Sequence, residues 1–189
     1  MEQTNGQRTP SEVLQEKGRS IARRGSWMRL LASALVTVIC TLILFGLLLG
    51  LALVQGDSMN PAFRSSDAVL FNRLPSYGSR GYQAGDVVIL QADAEGLRKF
   101  LKRVAGVPGD ILSIDGAGNV SVNGQILDEP YADGFTEPGS GVVFPLTLGE
   151  DEYFVLGDNR ENSSDSRIFG PVKAEHIDGK VLTVLRIRA

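Results

Sequence analysis

Apolar positions along the chain follow two regimes. From Leu30 to Val54 they run for 25 residues without a charge. At about 1.5 Å per residue that exceeds the roughly 20 residues needed to cross a bilayer, so the run predicts one transmembrane helix over 30–54. A cleavable secretory signal would have an apolar core of only about 7–15 residues and a small-residue cut site, which Leu51-Ala52-Leu53 does not offer; the segment is read as a retained anchor. Gly46 and Gly50 form a G-x-x-x-G, a spacing that can serve as a helix-dimer face but is common in membrane helices.

Beyond Val54 the apolar residues come in short bursts. Ala68–Asn72, Asp86–Leu90, Lys99–Val104, Ile111–Ile114, Val120–Asn123, Tyr153–Leu156 and Val181–Ile187 are β-branched or aliphatic and are separated by Gly, Asp, Asn or Pro, which predicts strands. Asp115–Asn119 and Asn123-Gly124 read as hairpin turns. No long helical period follows the anchor. The fold expected is mainly β: an antiparallel domain of coiled sheets or an open barrel over 55–189. Asp133–Gly141, rich in Gly, reads as a mobile loop.

Charge orients this picture. Residues 1–30 carry six Lys/Arg against three Asp/Glu, whereas residues 55–189 carry thirteen against nineteen. Arg19, Arg23, Arg24 and Arg29 flank only the N-terminal end of the apolar run, and basic flanks stay in the cytoplasm. The expectation is a single-pass protein of the cell membrane with a cytoplasmic basic tail over 1–29, read as flexible in preference to a short amphipathic turn or two, and an extracytoplasmic domain over 55–189. An acidic domain without a basic stripe argues against nucleic acid as a partner. One Cys (Cys40) and one His (His176) exclude an intrachain disulfide and a Cys/His metal cluster, so no metal and no cofactor is expected.

Candidate chemistry begins at L-A-L-V-Q-G-D-S-M-N-P-A-F (Leu51–Phe63), where Ser58 closely follows the apolar run. A serine that attacks a peptide bond needs a base and an oxyanion donor. His176 lies on a polar stretch and reads as a surface residue. A lysine serves as base only when neutral, which requires burial among apolar groups. Lys102 has Phe100 and Val104 on its own strand face; Lys99, between Leu97 and Leu101, is a rival.

Three stretches in order, Leu51–Phe63, F-L-K-R-V-A-G-V-P-G-D (Phe100–Asp110) and G-D-N-R-E-N-S-S-D-S-R (Gly157–Arg167), together resemble the boxes of bacterial type I signal peptidases, from the anchor to about Pro171. The resemblance implies a β-rich serine protease core with a short insert within about 111–150. It implies Ser58 as nucleophile and Lys102 as general base, with Ser163 as the hydroxyl that orients the base. Arg103, Asp158, Asp165, Arg160 and Arg167 fall on structural charged positions, with Asp158 expected to pair with Arg103 and Asp165 with Arg167. Val54, Met59, Phe63, Phe100 and Leu101 match positions lining small apolar subsites. Some relatives carry Ser or Thr two positions before the nucleophile; here Gly56 leaves the Ser58 backbone N–H as the assured oxyanion donor, and Gly56→Ser is expected to preserve or raise turnover, the alternative being that Gly56 is needed for its backbone angles and that Gly56→Ser and Gly56→Ala both lose activity. The implied partners are preprotein signal peptides, the lipid bilayer and the secretion translocon. Two alternatives stand beside this reading: a specialised Ser/Lys protease maturing one pilin or conjugation protein, and an inactive membrane-tethered binding module.

Overall fold

The computed structural model describes residues 10–74, 81–91 and 99–186. They form two compact units, 1–46 and 47–189.

The first unit is helical. Helix α1 spans Pro10–Leu48, and its segment Trp27–Leu48 (22 residues, mean hydropathy 2.6) is long and apolar enough to cross a membrane. Within it the hydroxyls of Ser33, Thr37 and Thr41 donate to the carbonyls of Leu30, Ser33 and Thr37 at 2.8–2.9 Å. Each polar side chain is thereby satisfied by its own helix, as a lipid environment demands. Where the sequence favoured a flexible tail, the helix already begins at Pro10; residues 1–9 lie outside the described residues.

The helix does not run to Val54. It stops at Leu48, and Leu49–Leu53 is a strand, β1, paired antiparallel with β2 (Ala68–Asn72), Gly50 opposite Phe71 and Ala52 opposite Val69. A run of Leu, Ala and Gly suits a membrane helix as well as a half-buried strand, so composition could not mark the change. Gly50 is needed as glycine here: a Cβ would overlap the Phe71 ring and the Arg73 side chain. The G-x-x-x-G is therefore not one helical face, since Gly46 lies in α1 and Gly50 in β1.

The other strands are β3 (Val87–Gln91), β4 (Lys99–Gly106), β5 (Ile111–Ile114), β6 (Val120–Val122), β7 (Gln125–Ile126), β8 (Leu146–Thr147), β9 (Glu152–Leu156), β10 (Val172–Lys173) and β11 (Ile177–Leu185). Seven make an antiparallel sheet in the order β1-β2-β11-β3-β4-β9-β10. It is open, with β1 and β10 as edges. A four-stranded sheet, β7-β6-β5-β8, occupies the expected insert. Leu112, Ile114 and Val120 of the small sheet pack with Ala105, Phe154 and Leu156 of the large one. A second cluster gathers Val88, Leu90, Val104, Tyr153 and Val155. A third gathers Val54, Val69, Phe71 and Ile89, with Leu101 and Phe63 against it.

The stretch 133–141, expected to be mobile, is instead tied down. The N–H of Phe135 donates to Glu161, buried Thr136 accepts from Arg160, and the N–H of Gly141 donates to the Arg167 carbonyl at 2.9 Å. Its glycines are places of close approach: a Cβ at Gly139 or Gly141 would run into the backbone of Arg167 or Ile168.

Candidate active site

Ser58 follows β1 in a turn over Asp57–Asn60, closed by the Asn60 N–H to the Asp57 carbonyl (3.0 Å) and by the Asn60 side-chain amide to the Asp57 carboxylate (3.2 Å). Such turns favour Asp at the first position because its side chain bonds the backbone or neighbours a few residues on. Lys102 stands in the middle of β4, opposite Val88 of β3. It is only 2 % exposed. Its Nζ hydrogen-bonds Ser58 Oγ at 2.8 Å and lies 5.5 Å from the centre of the Phe100 ring.

Burial pushes the Lys102 ammonium down to about 8; Asp165 and, more weakly, Asp158 pull it up, and Arg167 pushes it further down. Desolvation wins because removing an ammonium from water costs more than carboxylates already engaged elsewhere return. Those carboxylates are engaged: Arg103 grips Asp158 with two bonds (2.8 and 2.7 Å), and Arg167 grips Asp165 with two (both 2.8 Å). Burial would raise the Asp165 carboxyl, but Arg167 and the Gly157 N–H outweigh it and hold it below the ordinary range. Lys99 is built differently. It is exposed enough to reach solvent and pairs with Asp178 at 2.5 Å, away from Ser58. His176 sits exposed in a short 3-10 turn.

The Ser163 hydroxyl is buried and close enough to Asp165 to help lower it, yet it completes no hydrogen bond and makes none to Lys102. Gly157 explains how it fits. A Cβ at 157 would overlap both the Ser163 side chain and the Ser58 carbonyl, so only glycine lets these two loops meet.

A cleft beside Ser58 is lined by Ala52, Leu53, Val54, Gly56, Met59 and Leu101, with Val69, Ile89, Lys99 and Phe100. Four of the expected subsite residues, Val54, Met59, Phe100 and Leu101, share it. Phe63 does not: it packs half-buried against the third core cluster and faces a separate hollow beside Val181–Val184. The reason is local. The chain turns at Asn60-Pro61, and the Phe63 N–H bonds the Met59 carbonyl at 2.9 Å, which carries the ring to the other side of the turn.

A family model, "Signal peptidase, peptidase S26", matches residues 26–185. The chain belongs to this signal peptidase family. Among its relatives, the probable signal peptidase I-2 of Synechocystis is 35% identical over 132 residues, covering 67% of this chain and 58% of that protein. Signal peptidase I S of Bacillus subtilis is 29% identical over 160 residues, covering 80% of this chain and 84% of its own length. A crystal structure of a signal peptidase I from Enterococcus faecalis is 29% identical, with a TM-score of 0.46, covering 56% of this chain and all of that one.

Several parts of this signal peptidase site carried no sequence signal. β1 was hidden in the apolar run. Glu129 and Tyr131 lie in the insert, yet Arg160 grips Glu129 with two bonds (3.0 and 2.7 Å), Tyr131 donates to the same carboxylate, and Arg103 stacks 4.0 Å from the Tyr131 ring. Gly157 and Asn159 were inside the third box, but a box shows which residues occur together and not which atoms they hold.

Proposed function

We propose that this protein is a membrane-bound serine endopeptidase that removes signal peptides from secreted preproteins at the outer face of the cytoplasmic membrane, using Ser58 and Lys102. The observation that carries the reading is the 2.8 Å contact between a buried lysine and a half-buried serine beside an apolar cleft. With its pKa near 8, Lys102 is neutral in about one molecule in ten at pH 7, enough to act as a base.

Neutral Lys102 takes the Ser58 proton as Oγ attacks the scissile carbonyl, and the new C–O bond places negative charge on the former carbonyl oxygen. The Ser58 N–H receives that charge. Lys102, now an ammonium, gives its proton to the leaving amine as the C–N bond breaks. A water then enters, Lys102 removes its proton, and hydrolysis of the acyl ester returns Ser58. Asp158 and Asp165, fixed by their arginines, brace the site without exchanging protons. Ser163 is the second hydroxyl of the site, and its role is to orient Lys102 when substrate is bound.

The cleft is narrow and walled by Val54, Met59, Ile89 and Leu101, which suits small side chains near the scissile bond. An extended peptide end would lie along the chain at 52–56, hydrogen-bonding backbone as an added strand does. The basic residues Arg19, Arg23, Arg24 and Arg29 at the N-terminal side of the apolar run support an N-terminus inside and a β domain outside, where membrane-inserted preproteins emerge from the translocon into the lipid bilayer. The test is cleavage of a preprotein by purified wild type, Ser58→Ala and Lys102→Ala. Wild-type cleavage with both variants inactive supports the reading; cleavage that survives either substitution sinks the dyad.

A further inference from the structure

Asn159 follows Asp158 in the third box, and its side chain is half-buried. It holds the nucleophile turn twice. Its backbone N–H donates to the Ser58 carbonyl at 3.1 Å, and its side-chain Nδ2 donates to the Asp57 carbonyl at 3.2 Å. Its own backbone is clamped from the insert: the Asp133 N–H donates to the Asp158 carbonyl (2.7 Å) and the Arg160 N–H to the Asp133 carbonyl (2.8 Å), an isolated parallel bridge between Asp133 and Asn159. The anchor for the nucleophile turn is therefore itself anchored.

The peptide unit between Asp57 and Ser58 matters most. It is trans, so its carbonyl and its N–H point in opposite directions across one plane. Fixing the Asp57 carbonyl fixes the direction of the Ser58 N–H. That N–H has no hydrogen-bond partner among the described residues, while the Asp57 carbonyl on the same plane carries two donors, Asn60 N–H and Asn159 Nδ2. Hydrogen bonds accepted by an amide carbonyl polarise the amide and strengthen its N–H as a donor. We propose that Asn159 is a positioning residue for the oxyanion site, its side-chain amide aiming and polarising the Asp57–Ser58 peptide so that the Ser58 N–H meets the developing oxyanion. This rests on the Ser58/Lys102 peptidase reading. It matters more in this chain because Gly56 offers no side-chain donor. The Asn159 side-chain amide donates to the Asp57 carbonyl and the Lys102 ammonium to Ser58 Oγ, with no hydrogen bond between the two side chains, so loss of the amide should leave the base untouched.

The experiment uses the full chain in detergent with a peptide substrate bearing small residues before the scissile bond. It compares wild type, Ser58→Ala, Asn159→Ala and the near-isosteric, uncharged Asn159→Leu, which keeps the volume and the backbone N–H but cannot donate to a carbonyl. Because losing an oxyanion donor outright costs about 10²–10³ in kcat, losing its orientation should cost about tenfold or more. Both Asn159 variants should show that fall in kcat with KM changed less than about twofold. A boronic acid peptide, which mimics the tetrahedral state on Ser58, should bind them more weakly by the same factor, and the acid limb of the kcat/KM profile should not move. If Asn159→Ala does not fold, Asn159→Leu decides alone. Wild-type kcat in the variants overturns the proposal, as does a loss carried by KM or by a displaced acid limb. If wild type cleaves nothing, or Ser58→Ala still cleaves, the peptidase reading has failed and takes the inference with it; an active wild type, a dead Ser58→Ala and normal Asn159 variants refute the inference alone.

Discussion

Lys102 is buried at a cost in stability. Its depressed pKa means the unfolded chain binds a proton that the folded chain releases between about 8 and the ordinary lysine value near 10.4, so stability rises with pH across that window. Below pH 8 both states are protonated and the full burial penalty stands. Lys102→Met should therefore abolish cleavage and raise stability at pH 7 by about 3 kcal/mol, an order-of-magnitude figure from the pKa shift, checked by denaturant unfolding. Wild-type kcat/KM should climb with pH and level off above an apparent pKa near 8; a profile flat from pH 6 to 9 would exclude Lys102 as the base. Gly56 changes sides. Its φ of +83° lies in the left-handed region, where a side chain costs about 1–2 kcal/mol even though a Cβ there would meet nothing within 4 Å. The sequence expectation that Gly56→Ser preserves turnover thus gives way: Gly56→Ser and Gly56→Ala should both lose about tenfold in kcat, since roughly 1.4 kcal/mol of misplacement suffices for that. Turnover at wild-type level in the serine variant would restore the first expectation.

At the scale of elements, legibility followed the physics of each segment. Strands with turn signals on both sides, such as Ile111–Ile114, were readable to the residue because β-branched side chains and an Asp-Gly turn both marked them. Ser58, Lys102 and the charged positions stand out in the sequence only as a set: each residue type is common, and it is the three boxes in order that mark them as candidates. β1 was unreadable because its residues satisfy helix and strand alike, and what decides between them is β2, some fifteen residues later in sequence. Phe63 was misread because sequence spacing says nothing about which side of a turn a ring falls on. β1 also yields a prediction. A chain beginning at Leu49 keeps the strand that covers Val69 and Phe71 and forms the wall of the cleft, whereas one beginning at Gln55 loses it. The first should fold and cleave peptides in detergent; the second should melt several degrees lower, bury less surface by denaturant slope and cleave poorly. Equal activity in the two would remove β1 from the site.

For the whole molecule the open question is which way it faces. The apolar segment Trp27–Leu48 is preceded by Arg19, Arg23 and Arg24 and carries Arg29 in its first turn, whereas the first basic residue after it among the described residues is Arg64. Positive charge near a membrane helix resists translocation, so this asymmetry predicts an N-terminus facing inward and a β domain, with its acidic excess, facing outward. Cysteine labelling can decide it because Cys40 is the only cysteine and lies within the apolar segment. In a Cys40→Ala background, Val143→Cys places a thiol on a side chain that is 85 % exposed on the β domain, and Thr4→Cys places one near the N-terminus. A membrane-impermeant maleimide added to intact cells or spheroplasts should label position 143 and spare position 4 until the membrane is permeabilised. Cys40 in the unaltered chain should stay unlabelled until detergent is added, because a polar, membrane-impermeant reagent does not enter the hydrocarbon layer. The opposite pattern, position 4 labelled first, would put Ser58 and Lys102 in the cytoplasm, where a peptidase could not meet the emerging end of a secreted chain.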